Sequence, residues 1–151
     1  RYTAQILASG SLPIIMKILY YGEQDEMEAR EQFVGLLSSM LKGNEECAVA
    51  AKSLGAVARL MHLMNLGDDG LGAFSTQELA ASGLVEMLET SEDCRTEARR
   101  SGIRTMIKAL TESPLLNSPN DLERHQAQSS KATAQKLLRL VNLPPRRGER
   151  G

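Results

Sequence analysis

The sequence predicts an all-α protein built from copies of one helical unit. Apolar residues make up 42% of the chain, but aromatic residues only 3%, and tryptophan is absent. Leucine, methionine and alanine must therefore form the core, which favours helices over β-sandwiches, where β-branched and aromatic residues dominate. Apolar residues also recur at the three- and four-residue spacing of helices, and a short pattern occurs more than once along the chain.

The repeated pattern is clearest in NEECAVAAKSLGAVARLMHLM, residues 44–64, and SEDCRTEARRSGIRTMIKAL, residues 91–110. Residues 1–19, RYTAQILASGSLPIIMKIL, fit the same frame, with Gly10 before an apolar stripe. The pairs that recur 47 positions apart are Glu46 and Asp93, Cys47 and Cys94, Ala51 and Ala98, and Gly55 and Gly102.

The recurring cysteine marks either a reactive site or a packing position. Tyr2 occupies the frame position of Cys47 and Cys94, and a position that accepts tyrosine as well as cysteine is typical of packing. We therefore expect two free, buried thiols. The neighbouring acidic residues would lie in the first turn of a helix capped by Asn44 or Ser91, where the helix dipole favours negative charge.

Each unit is predicted to contain a short helix, a glycine turn at positive φ, a medium helix, a loop and a long helix. The long helices are EMEAREQFVGLLSSMLK, STQELAASGLVEMLET and NDLERHQAQSSKATAQKLLRLVNL, and Ser75 with Glu78 forms a capping-box pattern for the second. The apolar residues that we expect these helices to bury are Phe33, Leu36, Leu37, Met40, Leu41, Leu79, Leu84, Met87, Leu88, Leu137, Leu138 and Val141.

The predicted repeats run over about 1–43, 44–90 and 91–142 and form one domain, 1–143. Pro144 and Pro145 block continuation of the last helix. The remaining residues, 144–151, are predicted to form a disordered basic tail.

The frame [NS]-E-[ED]-C-x3-A-x3-G, followed by the apolar stripe and then L-x2-[ML]-L, resembles the armadillo repeat. The resemblance covers about 142 of the 151 residues. It implies a right-handed α-solenoid of three three-helix repeats, whose long third helices line a concave surface. It also implies a protein–protein interaction scaffold.

No residue pattern indicates catalysis, a cofactor or a metal. His62 and His125 lack the spacing to each other or to the cysteines that a zinc site requires. Neither a phosphate-binding loop of the G-x4-G-K-[ST] type nor a G-x-S-x-G motif occurs. We therefore expect no enzyme activity, no cofactor and no metal ion.

Charge is distributed unevenly along the chain. Residues 1–94 hold 6 basic and 14 acidic residues, whereas residues 95–151 hold 12 basic and 5 acidic residues. The basic cluster Arg95, Arg99, Arg100 and Arg104 predicts a solvated basic face or a surface for an acidic protein partner. Nucleic acid is a weaker interpretation, because Phe74 is the last aromatic residue and no base-stacking side chain accompanies the cluster.

The resemblance also places a candidate partner-binding groove on the long helices. Family members that grip extended basic peptides use a ladder of Asn and Trp, but here the Asn positions hold Ser39, Glu86 and Arg139, and the Trp positions hold Gly35, Ser82 and Gln135. Recognition of nuclear-localisation peptides is therefore not expected. Small residues in this region, such as Ser38, either make room for a partner helix or reflect close approach of neighbouring helices.

These features predict a non-catalytic protein-interaction scaffold that presents a concave helical groove to a protein, peptide or helix. The alternatives are an armadillo-like chaperone or co-chaperone, of the myosin-directed type or the type that exchanges nucleotide on heat-shock chaperones, and a structural subunit of a larger complex. No apolar run approaches the ~20 residues of a membrane span, so we expect no membrane partner and a location in the cytoplasm, with the nucleus as the alternative.

Overall fold

The computed structural model describes residues 13–14, 27–64 and 73–143, and their regular secondary structure is entirely helical, with no strand. A 3₁₀ turn, Pro114–Asn117, precedes the last helix. The helices are α1 Met27–Leu41, α2 Glu45–Ser53, α3 Ala56–Met64, α4 Ala73–Thr90, α5 Glu92–Arg100, α6 Ile103–Thr111 and α7 Asp121–Val141.

Helices α2 to α4 and helices α5 to α7 have the same order of short, short and long helix. The bounds of α2 and α3 become those of α5 and α6 when 47 is added to each residue number. These two segments fall in the predicted units 44–90 and 91–142. The helices predicted before α1, with Tyr2 and Gly10, and the tail 144–151 lie outside the described residues.

The turn between the short helices depends on glycine in both segments. Gly55 has φ 86° and Gly102 has φ 84°, as the sequence predicts. This left-handed conformation is open to glycine because it has no Cβ to clash with the backbone. Between α2 and α3 the chain bends by 85°.

The N-termini of α2 and α5 are capped as predicted. The side chain of Asn44 accepts a hydrogen bond from the amide of Cys47, and that of Ser91 accepts one from the amide of Cys94. Each cap satisfies a backbone donor that the helix itself leaves without a partner.

The three long helices lie side by side in chain order, with α4 packed against both α1 and α7. Helices α3 and α6 each pack against the long helix that follows them. Leu37, Leu84 and Leu137 are fully buried in α1, α4 and α7, which confirms the predicted helix register. The other largest fully buried side chains are Val34, Leu41, Leu60, Leu63, Met87, Leu88 and Ile103.

Two of the predicted core leucines are exposed instead. Leu36 is 45% exposed and Leu138 is 38% exposed, and each is the sequence neighbour of a fully buried leucine. Consecutive residues on an α-helix point about 100° apart, so the side that buries Leu37 or Leu137 turns its neighbour away. Leu79 is half-buried, and the side chain of Phe33 lies outside the described part.

The predicted capping box at Ser75 and Glu78 is wrong. Helix α4 begins at Ala73, so Ser75 lies inside the first turn rather than at the N-cap position. The predicted start depended on local pattern alone, and helix boundaries depend on tertiary contacts as well.

Among the described residues, no single helix is both long and apolar enough to cross a membrane. Helices α2 and α3 pass that test only as a bent pair, by length and composition alone.

Candidate functional site

An open groove of roughly 250 Å³ lies between the long helices α4 and α7. We call it the α4–α7 groove. Its α4 side is formed by Glu78, Ala81, Ser82, Val85 and Glu86, and its α7 side by Ser129, Thr133 and Lys136. Residues four apart on a helix share a face, so one face of α4 supplies its residues 78, 82 and 86, and one face of α7 supplies residues 129 and 133.

The groove has an apolar floor and polar rims. Ala81 is 7% exposed and Val85 is 8% exposed, so a small part of each remains accessible. Glu78 and Ser82 are exposed, and Glu86 is half-buried. A surface of this kind combines apolar contact area with groups that orient a ligand.

The charged residues of the groove differ in whether they form an ion pair. Lys136 Nζ lies 3.3 Å from Glu89 Oε1, in an ion pair that joins α7 to α4. Glu78 and Glu86 form no ion pair with any other residue that the structure describes. Within the described part of the chain, the groove therefore presents two carboxylates without an ion pair, while its lysine is paired.

The structure brings only part of the predicted groove together. Ser82 and Glu86 line the α4–α7 groove, whereas Gln135 and Arg139 are exposed on α7 without contributing to its walls. Residues at the same frame position point in the same direction from successive helices, so they lie one after another on the surface that the long helices form together. The walls between two helices come instead from the sides that face each other.

Small residues on α1 are explained by close approach of α4. A Cβ on Gly35 would lie 3.7 Å from Leu79 Cδ1, and Ser38 donates a hydrogen bond of 2.8 Å to the carbonyl of Leu79. A Cβ on Gly83 would lie only 2.9 Å from Ser38 Oγ. Helix packing accounts for Gly35 and Ser38, while Ser39 is exposed.

The predicted basic face is wrong at Arg95, which is only 4% exposed. Its guanidinium donates to the carbonyl of Leu88 at 2.6 Å and to Glu92 Oε2 at 2.8 Å. Arginine presents several donors in one plane, and the last carbonyls of α4 lack partners within their own helix. Arg95 is thus a buried cap for the C-terminus of α4, not a surface charge.

Two further arginines of this cluster hold the C-terminus of α7. Arg99 donates to the carbonyl of Val141 at 2.7 Å and to Glu92 Oε1 at 3.0 Å. Arg104 donates to the side-chain oxygen of Asn142 at 2.9 Å. Arg100 is exposed and makes no hydrogen bond or ion pair to a described residue that would occupy its charge. Three of the four arginines of the cluster therefore make structural contacts with the ends of long helices.

Glu92 is the shared acceptor of this arginine network. Burial alone would raise the pKa of its carboxyl group. The hydrogen bonds and positive charges of Arg95 and Arg99 outweigh that effect and lower the pKa below its ordinary value. Glu92 therefore favours its ionised form and holds the two arginines that reach the ends of α4 and α7.

The cysteines and histidines are placed as the packing interpretation predicts. Cys47 and Cys94 are free and fully buried, and burial raises the pKa of both thiols, which disfavours the nucleophilic thiolate. His62 and His125 are exposed. Within the described ranges, no three His, Cys, Asp or Glu side chains are grouped to hold a metal ion.

Sequence analysis did not identify Glu78, Ser129, Thr133 and Lys136 as groove residues. A signal was available in the small-residue run QAQSSKATA of α7, because small side chains spaced along a helix mark the side that a neighbouring helix approaches. No sequence pattern marks Lys136 as a groove residue. The structure places it there, in an ion pair with Glu89 of α4.

Comparisons with protein-family models, with curated proteins and with solved structures find no match to this chain.

Proposed function

We propose that this chain is a non-catalytic protein-interaction scaffold, an armadillo-like solenoid that presents the exposed faces of its long helices to a protein partner. The observation that carries the proposal is the open α4–α7 groove, in which polar rims flank an accessible apolar floor. Grooves between helices are common docking sites for a helix or an extended segment of another protein. The armadillo resemblance of the sequence supports the same function.

A stacked arrangement is supported by how the helices pack. Helix α4 packs against both α1 and α7, and α3 and α6 each pack against the long helix that follows them. Two consecutive segments thus repeat the same contact between a short and a long helix, which favours one repeated stacking step.

Partner choice in this scaffold would follow charge. Glu78 and Glu86 lie on one wall without an ion pair to a described residue, and Arg139 is exposed on the next long helix. Exposed charges mainly accelerate encounter and reject the wrong partner, and added salt screens them. We expect binding that weakens as ionic strength rises.

The test is affinity capture from a cell extract with the immobilised chain at low and at high salt. The informative variant is Glu86→Lys combined with Arg139→Glu, which reverses the half-buried charge of Glu86 and the exposed charge of Arg139. Its matched control is Glu46→Lys combined with Arg100→Glu, because both side chains are exposed on the short helices α2 and α5. Arg95 cannot serve in the control, since reversing a buried charge would unfold the chain.

We expect the Glu86→Lys, Arg139→Glu variant, which changes one residue of the α4–α7 groove and one exposed residue of α7, to lose partners that both the wild type and the control retain. Circular dichroism and thermal melting should show that all three proteins are equally folded, because surface substitutions that break no structural contact usually shift stability by only about 0.5 kcal/mol. Capture that is equally weakened by the control would assign recognition to the short-helix ridge. Capture unaffected by either variant would contradict the groove proposal.

A further inference from the structure

The α4 wall of the α4–α7 groove carries a row of polar side chains. Glu78, Ser82 and Glu86 line the groove at intervals of four residues, so they follow one another along one face of the helix. Each residue of a helix rises about 1.5 Å, which places Glu78 and Glu86 about 12 Å apart along the axis. A ligand that contacts both carboxylates must therefore extend along α4 over about two turns.

The groove between these carboxylates is lined by small side chains that carry hydroxyl groups. They are Ser82 on α4 and Ser129 and Thr133 on α7. None of the three hydroxyls forms a hydrogen bond to a residue that the structure describes. The groove thus combines low side-chain bulk with polar groups that a ligand can reach.

The same types of residue mark the face where α1 and α4 meet. A Cβ on Gly83 of α4 would lie 2.9 Å from Ser38 Oγ of α1, and that hydroxyl donates to the carbonyl of Leu79 at 2.8 Å. In this chain, small side chains thus allow two long helices to approach closely, and a serine hydroxyl joins one to the other. The small, hydroxyl-bearing residues of the α4–α7 groove therefore favour a helix as its occupant.

The charges of the groove favour a basic occupant. Glu78 and Glu86 form no ion pair within the described part of the chain, while Lys136 is paired with Glu89 at 3.3 Å. Three of these four charged groups are carboxylates, so the region is net negative. The Lys136–Glu89 pair also shows that a lysine of one long helix reaches a glutamate of its neighbour. A basic side chain on a third helix would make the same kind of contact with Glu78 or Glu86.

We propose that the α4–α7 groove binds a helix of a partner protein that carries Lys or Arg at two positions seven residues apart, with small or apolar residues between them. Seven residues of a helix rise about 10.5 Å and return to nearly the same face, so the two basic side chains reach Glu78 and Glu86 together. The accessible parts of Ala81 and Val85 contact the residues between them. This inference rests on the proposed function, since it names the chemistry of the partner that the groove selects.

Selection from a phage-displayed peptide library on the full immobilised chain tests the proposal. The peptides have about 15 to 20 residues, long enough to form a helix, and each position is randomised among Lys, Glu, Ala, Leu and Ser. Fluorescence polarisation then measures the affinity of each selected peptide for the wild type and for two double variants.

The first double variant, Glu78→Gln with Glu86→Gln, removes both groove charges and keeps the shape of the side chains. The matched control is Glu46→Gln with Glu112→Gln, which removes two exposed charges outside the groove. Circular dichroism compares the helix content of both with that of the wild type. Glu78→Gln alone replaces the groove variant if the double substitution lowers helix content.

We expect the selected peptides to be enriched in lysines seven residues apart. The groove variant should bind them about tenfold more weakly, from about threefold for each lost ion pair, whereas the control should bind as tightly as the wild type. Moving one lysine of a selected peptide by two positions turns it about 200° around the helix. This change should weaken binding as much as the groove variant does, although the net charge of the peptide is unchanged.

Three outcomes would overturn the proposal. One is selection of peptides that lack lysine pairs or whose lysines lie four residues apart, since an extended segment advances about 3.3 Å per residue and would use that spacing. The second is equal binding of the selected peptides to the wild type and the groove variant. The third is that no peptide is selected.

Capture from the cell extract separates these outcomes from failure of the scaffold function itself. If the chain still captures a partner that Glu86→Lys with Arg139→Glu loses, the scaffold function stands and only the basic helix is excluded. If neither a peptide nor a captured partner is found, both proposals are overturned.

Discussion

The segments 44–90 and 91–142 share one backbone arrangement but differ in the side chains that hold their helices together. Each segment begins with a capped short helix that buries a cysteine. A glycine with positive φ follows that helix. At equivalent positions, however, the first has Ala48 and Lys52, and the second has Arg95 and Arg99. The shared frame therefore does not require one kind of side chain at these positions.

The difference changes how the long helices are held together. Ala48 is fully buried and its side chain carries no polar group. In the second segment Arg95 and Arg99 share Glu92 and reach the last carbonyls of α4 and α7. An ionised network thus joins α4, α5 and α7 where the earlier segment relies on apolar packing. Such a network is costly to interrupt, because a remaining buried partner loses its hydrogen bonds.

The largest expected effect comes from converting the second segment to the chemistry of the first. Arg95→Ala gives the frame position the residue found at Ala48. It should lower the free energy of unfolding by about 3 kcal/mol, since it leaves the Leu88 carbonyl unsatisfied and empties a buried volume. Urea denaturation measures the change.

The neighbouring substitution Arg100→Ala is the control for this experiment, because Arg100 is exposed. It should change stability by no more than about 0.5 kcal/mol. Equal effects of the two substitutions would mean that the arginine network contributes nothing beyond surface charge.

A smaller effect should distinguish backbone strain from packing at the glycine turns. A Cβ on Gly102 would meet no atom within 4 Å, so crowding does not oppose a side chain there. The φ of 84° does oppose it. Gly102→Val should destabilise by about 1 to 3 kcal/mol, and Gly102→Asn by less, because asparagine tolerates the left-handed region better. Thermal melting of both variants checks this order, and equal melting temperatures for Asn and Val would contradict the strain explanation.

The smallest expected effect is a dependence of stability on pH through Glu92. Its pKa is lower in the folded chain than the ordinary value of 4.5. The stabilisation is therefore fully present above that value and is lost as pH falls through the lower folded pKa. The side chain is 22% exposed, so solvent screening reduces the effect.

Comparison of the wild type with Glu92→Gln isolates this contribution. The difference in unfolding free energy should be largest near neutral pH and should shrink between about pH 5 and pH 3. Denaturation curves at successive pH values supply the measurement. If the difference in unfolding free energy stayed constant with pH, Glu92 would stabilise the fold through packing and neutral hydrogen bonds rather than through its charge.

Much of the local structure was predictable from local residue patterns. Asn44, Ser91, Gly55 and Gly102 have the predicted roles because caps and left-handed turns depend on a few adjacent residues. The start of α4 was not predicted correctly, since Ser75 with Glu78 resembles a capping box but lies inside the helix. Local pattern identified the helix and its register but not its first residue.

The candidate site was only partly predictable for a different reason. The frame that the armadillo resemblance implies placed Ser82 and Glu86 in the predicted groove, and both line the α4–α7 groove. Ser129, Thr133 and Lys136 on the opposite wall were missed, because which side of α7 faces α4 depends on how the two helices pack.

By itself the sequence determined the helical class, the 47-residue spacing of the two short-helix pairs, the glycine turns and the burial of Leu37, Leu84 and Leu137. These properties follow from side-chain periodicity and backbone preference, which act over a few residues. Only the tertiary structure decided that Arg95 is buried, that Leu36 and Leu138 are exposed, and that α4 and α7 enclose a groove. Those outcomes depend on which surfaces residues far apart in the chain present to each other, and the composition of a single helix does not contain that information.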